Sequence, residues 1–196
     1  KVGPMTQEIT LKSLWDDAHA ATLDEPGKLL YRSNLLGSDL RITNFGGGNT
    51  SAKVAATDPL SGEPVQVLWV KGSGGDIGSM KLDGFATLYM TKLMQLRAQY
   101  RGLDQEDAMV EALGHTIFNL NPRAPSIDTW LHGFVPYAHV DHVHSDAVIA
   151  IAASADQVRL TQEIFGGELG YLPWQRPGID LGIKLGRMAE ENPKLK

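Results

Sequence analysis

The sequence contains no cysteine, which excludes disulfide bonds, iron–sulfur clusters and thiolate metal sites. It has no basic run and no interleaving of basic and aromatic residues, and its net charge of -5 gives no sign of a nucleic-acid surface. No apolar run reaches membrane-spanning length, and the first residues lack a signal-peptide pattern. These absences favour a reducing compartment, and we expect a cytoplasmic protein without nucleic-acid or membrane partners.

The chain is long enough to form one domain with a proper core, since it has 196 residues of which 42% are hydrophobic. It contains no internal repeat and no low-complexity linker, so we predict a single domain over residues 1–196. The chain starts at Lys1 rather than at a methionine and has no evident closing element. We therefore expect it to be a piece of a longer protein.

The hydrophobic pattern predicts many helices and few strands. Helices are predicted over residues 7–20, 25–36, 84–100, 104–119, 126–134, 146–153, 156–165 and 178–191. Strands are predicted over residues 39–44, 51–56, 65–70 and 169–172 and in the histidine-rich segment after Pro136, with a hairpin turn over 58–64. This mixed order favours an α/β or α+β fold over a regular βαβ repeat.

Three of the six histidines fall within one short segment, at His139, His142 and His144. In a strand the side chains alternate between faces, so His142 and His144 should point together and His139 should point the other way. Two convergent imidazoles suit a borderline divalent cation such as zinc. A bare pair of this kind also occurs as ordinary surface or core histidines, so the pattern alone leaves both interpretations open.

Two glycine-rich loops flank the predicted hairpin, over residues 46–51 and 71–78. Their backbone amides, with the side chains of Asn49, Lys71 and Ser73, suit a phosphate, although a sharp turn would use the same glycines. The second loop fits neither a dinucleotide fingerprint nor a P-loop, because no helix begins at its third glycine and no Lys-Ser or Lys-Thr pair ends it. Since both loops border one hairpin, both could lie at the same end of neighbouring strands.

A third polar segment, Ala124-Pro-Ser-Ile-Asp-Thr129, precedes the histidine strand. Ser126 is predicted to cap a helix whose first N–H groups could bind an anion. Asp128 either compensates the helix dipole or acts as a general base near a metal. Among the other histidines, His19 and His115 have apolar neighbours and are expected to serve packing or the surface, whereas His132 remains ambiguous.

Taken in order, four motifs resemble the class II aldolase/adducin family. They are Gly-Gly-Asn49-Thr-Ser, Lys71-Gly-Ser73-Gly74, Pro125-Ser126-Ile-Asp128 and His142-Val-His144. The resemblance extends from about residue 30 onward. It is closer to the aldolase half of bifunctional rhamnulose-1-phosphate aldolase/alcohol dehydrogenases, because Trp69-Val-Lys-Gly-Ser-Gly and His139-Val-Asp-His-Val-His are in that style.

The resemblance implies a three-layer αβα fold around a largely antiparallel sheet, usually in a homo-oligomer. It implies zinc-dependent aldol cleavage of a ketose 1-phosphate to dihydroxyacetone phosphate and an aldehyde, with zinc as a Lewis acid. The zinc ligands would be His142, His144 and a third histidine beyond residue 196, and Asp128 would be the catalytic acid–base group. The phosphate would lie against Asn49, Lys71, Ser73, Gly74 and Ser126.

Three departures from the family pattern carry expectations of their own. Asp128 stands where glutamate is usual, so its reach is shorter, and Ile127 stands where a second serine would donate to the phosphate. No histidine follows His144, so this chain alone should bind metal poorly.

Two alternatives stay open beside the aldolase. One is a sugar-phosphate epimerase or another enzyme on the same scaffold, which would use the same residues. The other is a non-catalytic, adducin-like assembly domain, in which the histidines would be remnants. The intact histidine pair, Asp128 and both glycine loops favour an enzyme. A dehydrogenase domain could be fused to this chain, but we find no nucleotide fold within it.

Overall fold

The computed structural model describes residues 12–120 and 123–195 of the chain. These residues form eight α-helices: α1 (Asp17–Ala20), α2 (Glu25–Ser38), α3 (Met90–Gln99), α4 (Glu106–Ala112), α5 (Thr129–Phe134), α6 (Asp146–Ala152), α7 (Gln157–Phe165) and α8 (Ile179–Glu191). They also form four strands: β1 (Asn49–Thr57), β2 (Pro64–Lys71), β3 (Phe85–Tyr89) and β4 (His139–His142). Within the described residues, every helix is too short or too polar to cross a membrane.

The four strands form one antiparallel sheet in the order β3-β2-β1-β4. Strands β1 and β2 form the predicted hairpin, and Asp58 orders its turn by accepting from the backbone N–H groups of Leu60 and Ser61. Ser51 near the start of β1 pairs with Val70 near the end of β2. Both glycine loops therefore lie at one end of the sheet, as the sequence predicts.

Helices cover both faces of the sheet. On one face, Leu29 of α2 packs with Ala52 and Phe85 of the sheet. On the other face lies the larger core cluster, which combines Leu68 and Val70 of β2, Ala86 and Leu88 of β3, Leu93 of α3, Trp130 and Phe134 of α5, and Ile179 of α8. The predicted three-layer αβα arrangement with an antiparallel sheet is confirmed.

The prediction of one helix over residues 84–100 is wrong in its first part, since Phe85–Tyr89 is strand β3 and only Met90–Gln99 is helical. Phe85 faces the α2 layer, whereas Ala86 and Leu88 face the opposite layer. A strand that is buried on both faces has no polar alternation, so its apolar residues fit a helical spacing equally well.

Other predicted boundaries also differ. Residues 39–44 form turns rather than a strand, because Asp39 accepts from the backbone N–H groups of Arg41, Ile42 and Thr43. Residues 169–172 form no strand, and the α-helical part of 104–119 is Glu106–Ala112, followed by a 3₁₀ turn to Thr116. Of the helix predicted over 7–20, only Asp17–Ala20 is α-helical, and residues 7–11 lie outside the described residues.

Helices α5 and α8 approach each other at two glycines spaced four residues apart. A Cβ atom on Gly182 would lie 2.8 Å from Trp130 Cβ and 2.9 Å from its backbone carbon. A Cβ atom on Gly186 would lie 2.8 Å from the Phe134 carbonyl oxygen. These glycines therefore allow α8 to support α5, the helix that follows Asp128.

Replacing Gly182 with alanine should destabilise the fold by about 1–3 kcal/mol, because the added methyl group meets backbone that cannot move without shifting α5. The matched control is Gly114→Ala, since a Cβ atom there has no heavy atom within 4 Å. That variant should be neutral or stabilised by up to ~1 kcal/mol. Urea unfolding of both variants measures the difference, and equal stability of the two would contradict this account of the α5–α8 contact.

Candidate functional site

His142 and His144 converge at the end of the edge strand β4. Their Nε2 atoms lie 3.0 Å apart, and the two rings are inclined at 61°. His142 is the last residue of β4 and pairs with Asn49 of β1. The convergence that the alternation of strand side chains predicts is therefore present in the structure.

The position of His144, two residues beyond β4, is fixed by the segment before β1. The His144 backbone N–H donates to Thr43 Oγ1 at 3.1 Å, and its carbonyl accepts from the Asn44 N–H at 3.2 Å. A Cβ atom on Gly47 would lie 2.7 Å from His144 Nδ1, and one on Gly48, whose φ is +79°, would lie 2.7 Å from the His142 carbonyl oxygen. Glycine is thus needed at positions 47 and 48, because any side chain there would collide with the histidine pair.

The opposite face of β4 has a structural partner, the Arg32 side chain of α2. Arg32 Nε donates to Asp141 Oδ1 at 3.0 Å, and its Nη2 donates to the Ser51 carbonyl at 2.8 Å. Its Nη1 lies 3.2 Å from His139 Nδ1. This guanidinium links β4 to β1 and α2 on the face opposite the histidine pair. His139 therefore faces away from His142 and His144, as predicted. Sequence reasoning missed Arg32, since no local pattern links it to a strand more than 100 residues later.

The electrostatic surroundings keep His142 in the form that binds metals. Burial is the largest effect and lowers the pKa of His142, and a positive charge on His144 would lower it further. The Asp128 carboxylate acts in the opposite direction and raises this pKa. A neutral imidazole has a lone pair for a metal, whereas an imidazolium has none.

Asp128 is held beside this pair by Asn49. The Asn49 amide nitrogen faces Asp128 Oδ2 at 2.8 Å rather than the Lys71 carbonyl at 3.4 Å, because the shorter contact ends on a charged acceptor. The amide oxygen of Asn49 then lies 3.4 Å from Ser126 Oγ, and Ser126 Oγ accepts from the Asp128 backbone N–H at 3.2 Å. Asp128 itself is the N-cap residue of α5, so the predicted cap Ser126 orders the turn before the helix instead.

His132, which the sequence left ambiguous, is fully buried behind the site. Its Nδ1 lies 2.8 Å from Ser51 Oγ, and its Nε2 has no hydrogen-bond partner among the described residues. Burial, and secondarily the charge of His142, lowers the pKa of His132 to about 3. His19 and His115 are both exposed, in agreement with the sequence analysis.

The remaining predicted residues surround the second glycine loop. Lys71 is only 4% exposed, and burial lowers its pKa, whereas Ser73 and Gly74 are exposed. The Ser73 N–H donates to the Ala124 carbonyl at 3.0 Å, which joins this loop to the segment before Asp128. Lys71 and Gly74 line a cavity of about 190 Å³ that also contains Arg123, a cation that sequence reasoning missed.

The histidine pair fits part of a zinc site. Two imidazole nitrogens 3.0 Å apart are close enough to bind one ion with Zn–N bonds of ~2.0–2.1 Å. Residues 12–120 and 123–195 contain no group of three His, Cys, Asp or Glu side chains that could hold a metal ion. Only His142 and His144 are placed to act as ligands in this part of the chain, whereas a catalytic zinc ordinarily has three ligands from the protein.

The chain is similar to two proteins of related sequence. It is 30% identical to a protein solved as the N-terminal class II aldolase domain of a conserved protein from Thermoplasma acidophilum, with a TM-score of 0.75 over 93% of this chain and 80% of that one. It is 39% identical over 184 residues to the uncharacterized oxidoreductase YuxG of Bacillus subtilis (strain 168). That match covers 93% of this chain but 26% of YuxG, so the chain spans about a quarter of that relative's length.

The family model for the class II aldolase and adducin N-terminal domain matches residues 28–194. This range includes both glycine loops, Asp128 and the histidine pair, and it agrees with the extent of the resemblance seen in the four motifs. The chain belongs to the class II aldolase and adducin family.

Proposed function

We propose that this chain is the aldolase part of a zinc-dependent enzyme that reversibly cleaves a ketose 1-phosphate to dihydroxyacetone phosphate and an aldehyde. The substrate we propose is rhamnulose 1-phosphate or a close relative. The observation that carries the proposal is that one residue, Asn49, contacts both the acid Asp128 and the strand that ends in His142. Asn49 pairs with His142 across the sheet and donates to Asp128.

In this proposal Asp128 is the catalytic acid–base group. It moves the proton on the carbon that belongs to dihydroxyacetone phosphate in the cleavage product. The hydrogen bond from Asn49 at 2.8 Å fixes one carboxylate oxygen, and the Asp128 backbone N–H is fixed by Ser126 Oγ. A carboxylate held in this way loses little rotational freedom when the substrate arrives.

His142 and His144 would hold the metal, together with a third ligand beyond residue 196. When bound, zinc supplies the Lewis acidity that polarises the substrate oxygens next to the broken bond. The residues of this chain contribute the neutral imidazoles and their orientation, since Thr43 and Asn44 fix the His144 backbone.

The phosphate would be bound at the second glycine loop and its neighbours. Lys71 supplies a charge, and Ser73 and Gly74 are exposed donors at the end of β2. Asn49 and Ser126 complete the proposed set on the side of Asp128. Binding energy from a phosphate remote from the broken bond serves to position the reacting carbons.

The wider setting that we propose is a cytoplasmic homo-oligomer whose complete chain also contains a dehydrogenase. The name of YuxG as an oxidoreductase supports this, because the segment similar to our chain is about a quarter of that protein. The alcohol dehydrogenase activity would lie in the other part.

The proposal is tested with the full-length protein, rhamnulose 1-phosphate and zinc, by following dihydroxyacetone phosphate with glycerol-3-phosphate dehydrogenase and NADH. We expect release of this product, loss of the signal with a chelator, and recovery with zinc. An epimerised ketose phosphate in place of cleavage would favour the epimerase. A protein that binds no sugar phosphate would favour the assembly domain.

Zinc affinity gives an independent prediction. The 196-residue chain alone should bind zinc at least about 100-fold more weakly than a longer protein that supplies the third ligand. Competition with a chromophoric chelator at neutral pH measures this, and His142→Gln should weaken binding further. One tightly held zinc per chain would contradict the prediction. Asp128 would then be the first substitute ligand to examine, because His132 is buried and His139 lies on the opposite face of β4.

A further inference from the structure

The cavity beside the second glycine loop has the size and charge of a site for one anionic group. Its volume is about 190 Å³, below the ~300–1,000 Å³ of pockets that enclose a whole ligand. Gly74 and Gly75 line it with φ angles of +74° and +77°, and a Cβ atom on either would meet no atom within 4 Å. Open backbone of this kind can present N–H groups to an anion.

Arg123 is built into the wall of this cavity by close packing. A Cβ atom on Gly72 would lie 2.1 Å from Arg123 Cγ, so the arginine stem occupies the space that any other residue at position 72 would need. Arg123 Nε donates to the Asp83 carbonyl at 3.4 Å, and Gly72 N–H donates to the Gly84 carbonyl at 2.9 Å. The stem of Arg123 is therefore held against the second glycine loop, and its Nε is oriented by the Asp83 carbonyl.

The charges around the cavity favour an anion. Three cations line it, Lys71, Lys81 and Arg123, against two carboxylates, Asp76 and Asp83. Asp76 is engaged in holding the two glycine loops together, since it accepts from the Gly46 N–H at 3.3 Å and from Ser79 Oγ at 3.2 Å. The planar donor fork of an arginine matches phosphate oxygens better than a lysine ammonium does.

We propose that Arg123 binds the phosphate of the substrate in this cavity, together with Lys71 and the amides of Gly74 and Gly75. Arg123 then determines the preference of the enzyme for a phosphorylated sugar over a neutral one. This inference rests on the proposed function, and it adds to the predicted phosphate set a residue that the motifs do not contain. Arg123 lies three residues before Ser126. The residue between them that follows Arg123, Ala124, accepts from the Ser73 N–H, so this segment contacts the second glycine loop.

Titration calorimetry with inorganic phosphate and with dihydroxyacetone phosphate tests the inference on the 196-residue chain. Arg123→Gln should weaken the affinity for both by about 10–100-fold, since hydrogen bonds to charged groups are lost. Arg123→Lys should lie between Arg123→Gln and the unchanged chain. The matched control is Arg159→Gln, which removes the same charge from an exposed position on α7 and should bind as the unchanged chain does.

A second measurement needs no variant and so does not depend on whether Arg123→Gln folds. Phenylglyoxal modifies arginine side chains, and mass spectrometry locates the modified residues. Inorganic phosphate should protect Arg123 from modification and leave Arg159 unprotected. In the full-length enzyme, Arg123→Gln should raise KM for the ketose phosphate while kcat changes little.

The outcomes separate the inference from the proposed function. Unchanged phosphate affinity in Arg123→Gln, or equal modification of Arg123 with and without phosphate, overturns the role of Arg123 and leaves the aldolase proposal standing. Failure of the unchanged chain to bind either phosphate compound overturns the anion site, whereas the aldolase proposal is overturned only if the full-length protein with zinc releases no dihydroxyacetone phosphate.

Discussion

Replacing Asp128 with asparagine should lower kcat of the full-length enzyme by roughly 10²–10⁴-fold, the usual contribution of a positioned acid–base group. KM for the ketose phosphate should change little, because the phosphate donors that we propose are other residues. Asparagine has nearly the same shape as aspartate but cannot accept or return a proton. Steady-state kinetics of dihydroxyacetone phosphate release measures both constants.

The structure indicates that the Asp128→Asn protein keeps its fold. Asn49 donates to Asp128 Oδ2, and an asparagine at position 128 can present its amide oxygen to the same donor. The matched control is Asp146→Asn, which makes the same chemical change two residues after His144 at the exposed start of α6. Unchanged kcat in Asp128→Asn would remove Asp128 from the mechanism. A rise in KM with normal kcat would make it a binding residue.

The arrangement of the histidine segment could be predicted from sequence because it depends on local geometry. Side chains in a strand alternate with a period of two residues, whatever the strand pairs with. The contacts of Arg32 with His139 and Asp141 on one face follow that rule, and His144, two residues beyond β4, continues the alternation and approaches His142 on the other face. The same locality explains why the β1–β2 hairpin was predictable from the turn around Asp58.

Structural features that depend on contacts between residues far apart in the sequence could not be predicted from local patterns. Within the helix predicted over 84–100, Phe85–Tyr89 forms β3 instead, because these residues pair with β2 from Val67↔Tyr89 to Lys71↔Phe85. The need for glycine at position 72 comes from Arg123, and the need at position 182 comes from Trp130. A glycine that meets a neighbour 50 residues away looks in the sequence like any loop or helix glycine.

The same limit applies to His132. Its position near the histidine strand in sequence left its role open, whereas its depth in the fold makes it a buried neutral group against Ser51. Burial is a property of the packed layers, so no spacing rule could separate a ligand from a core histidine here.

Acid should destabilise the protein through His132. Burial lowers the pKa of this imidazole from its ordinary 6.5 to about 3. Between these values the unfolded chain binds a proton that the folded protein excludes, so the free energy of unfolding falls as the pH falls. The stability is fully present above pH ~6.5, and one such group accounts for a loss of roughly 4–5 kcal/mol on reaching pH ~3.

Urea unfolding at pH 6.5 and pH 4.5 measures this effect. The interval lies above the ordinary pKa of 3.8 at which Asp39 and Asp58 bind protons in the unfolded chain, so these two groups contribute little to the loss, although hydrogen bonds from Arg41 and Tyr89 lower their folded pKa values to about 2. His132 should account for roughly 2–3 kcal/mol of the loss over this interval.

His132→Gln should lose less stability than the unchanged chain between the two pH values, because its amide can still bond Ser51 but does not titrate. Part of the loss should remain, since burial also lowers the pKa of His142. His19→Gln removes an exposed imidazole and should retain the full loss, which makes it the control. Equal losses in His132→Gln and His19→Gln would show that the buried imidazole does not govern acid stability. Acid sensitivity would then have to be sought at the histidine pair itself, where His142 lies between Asp128 and His144.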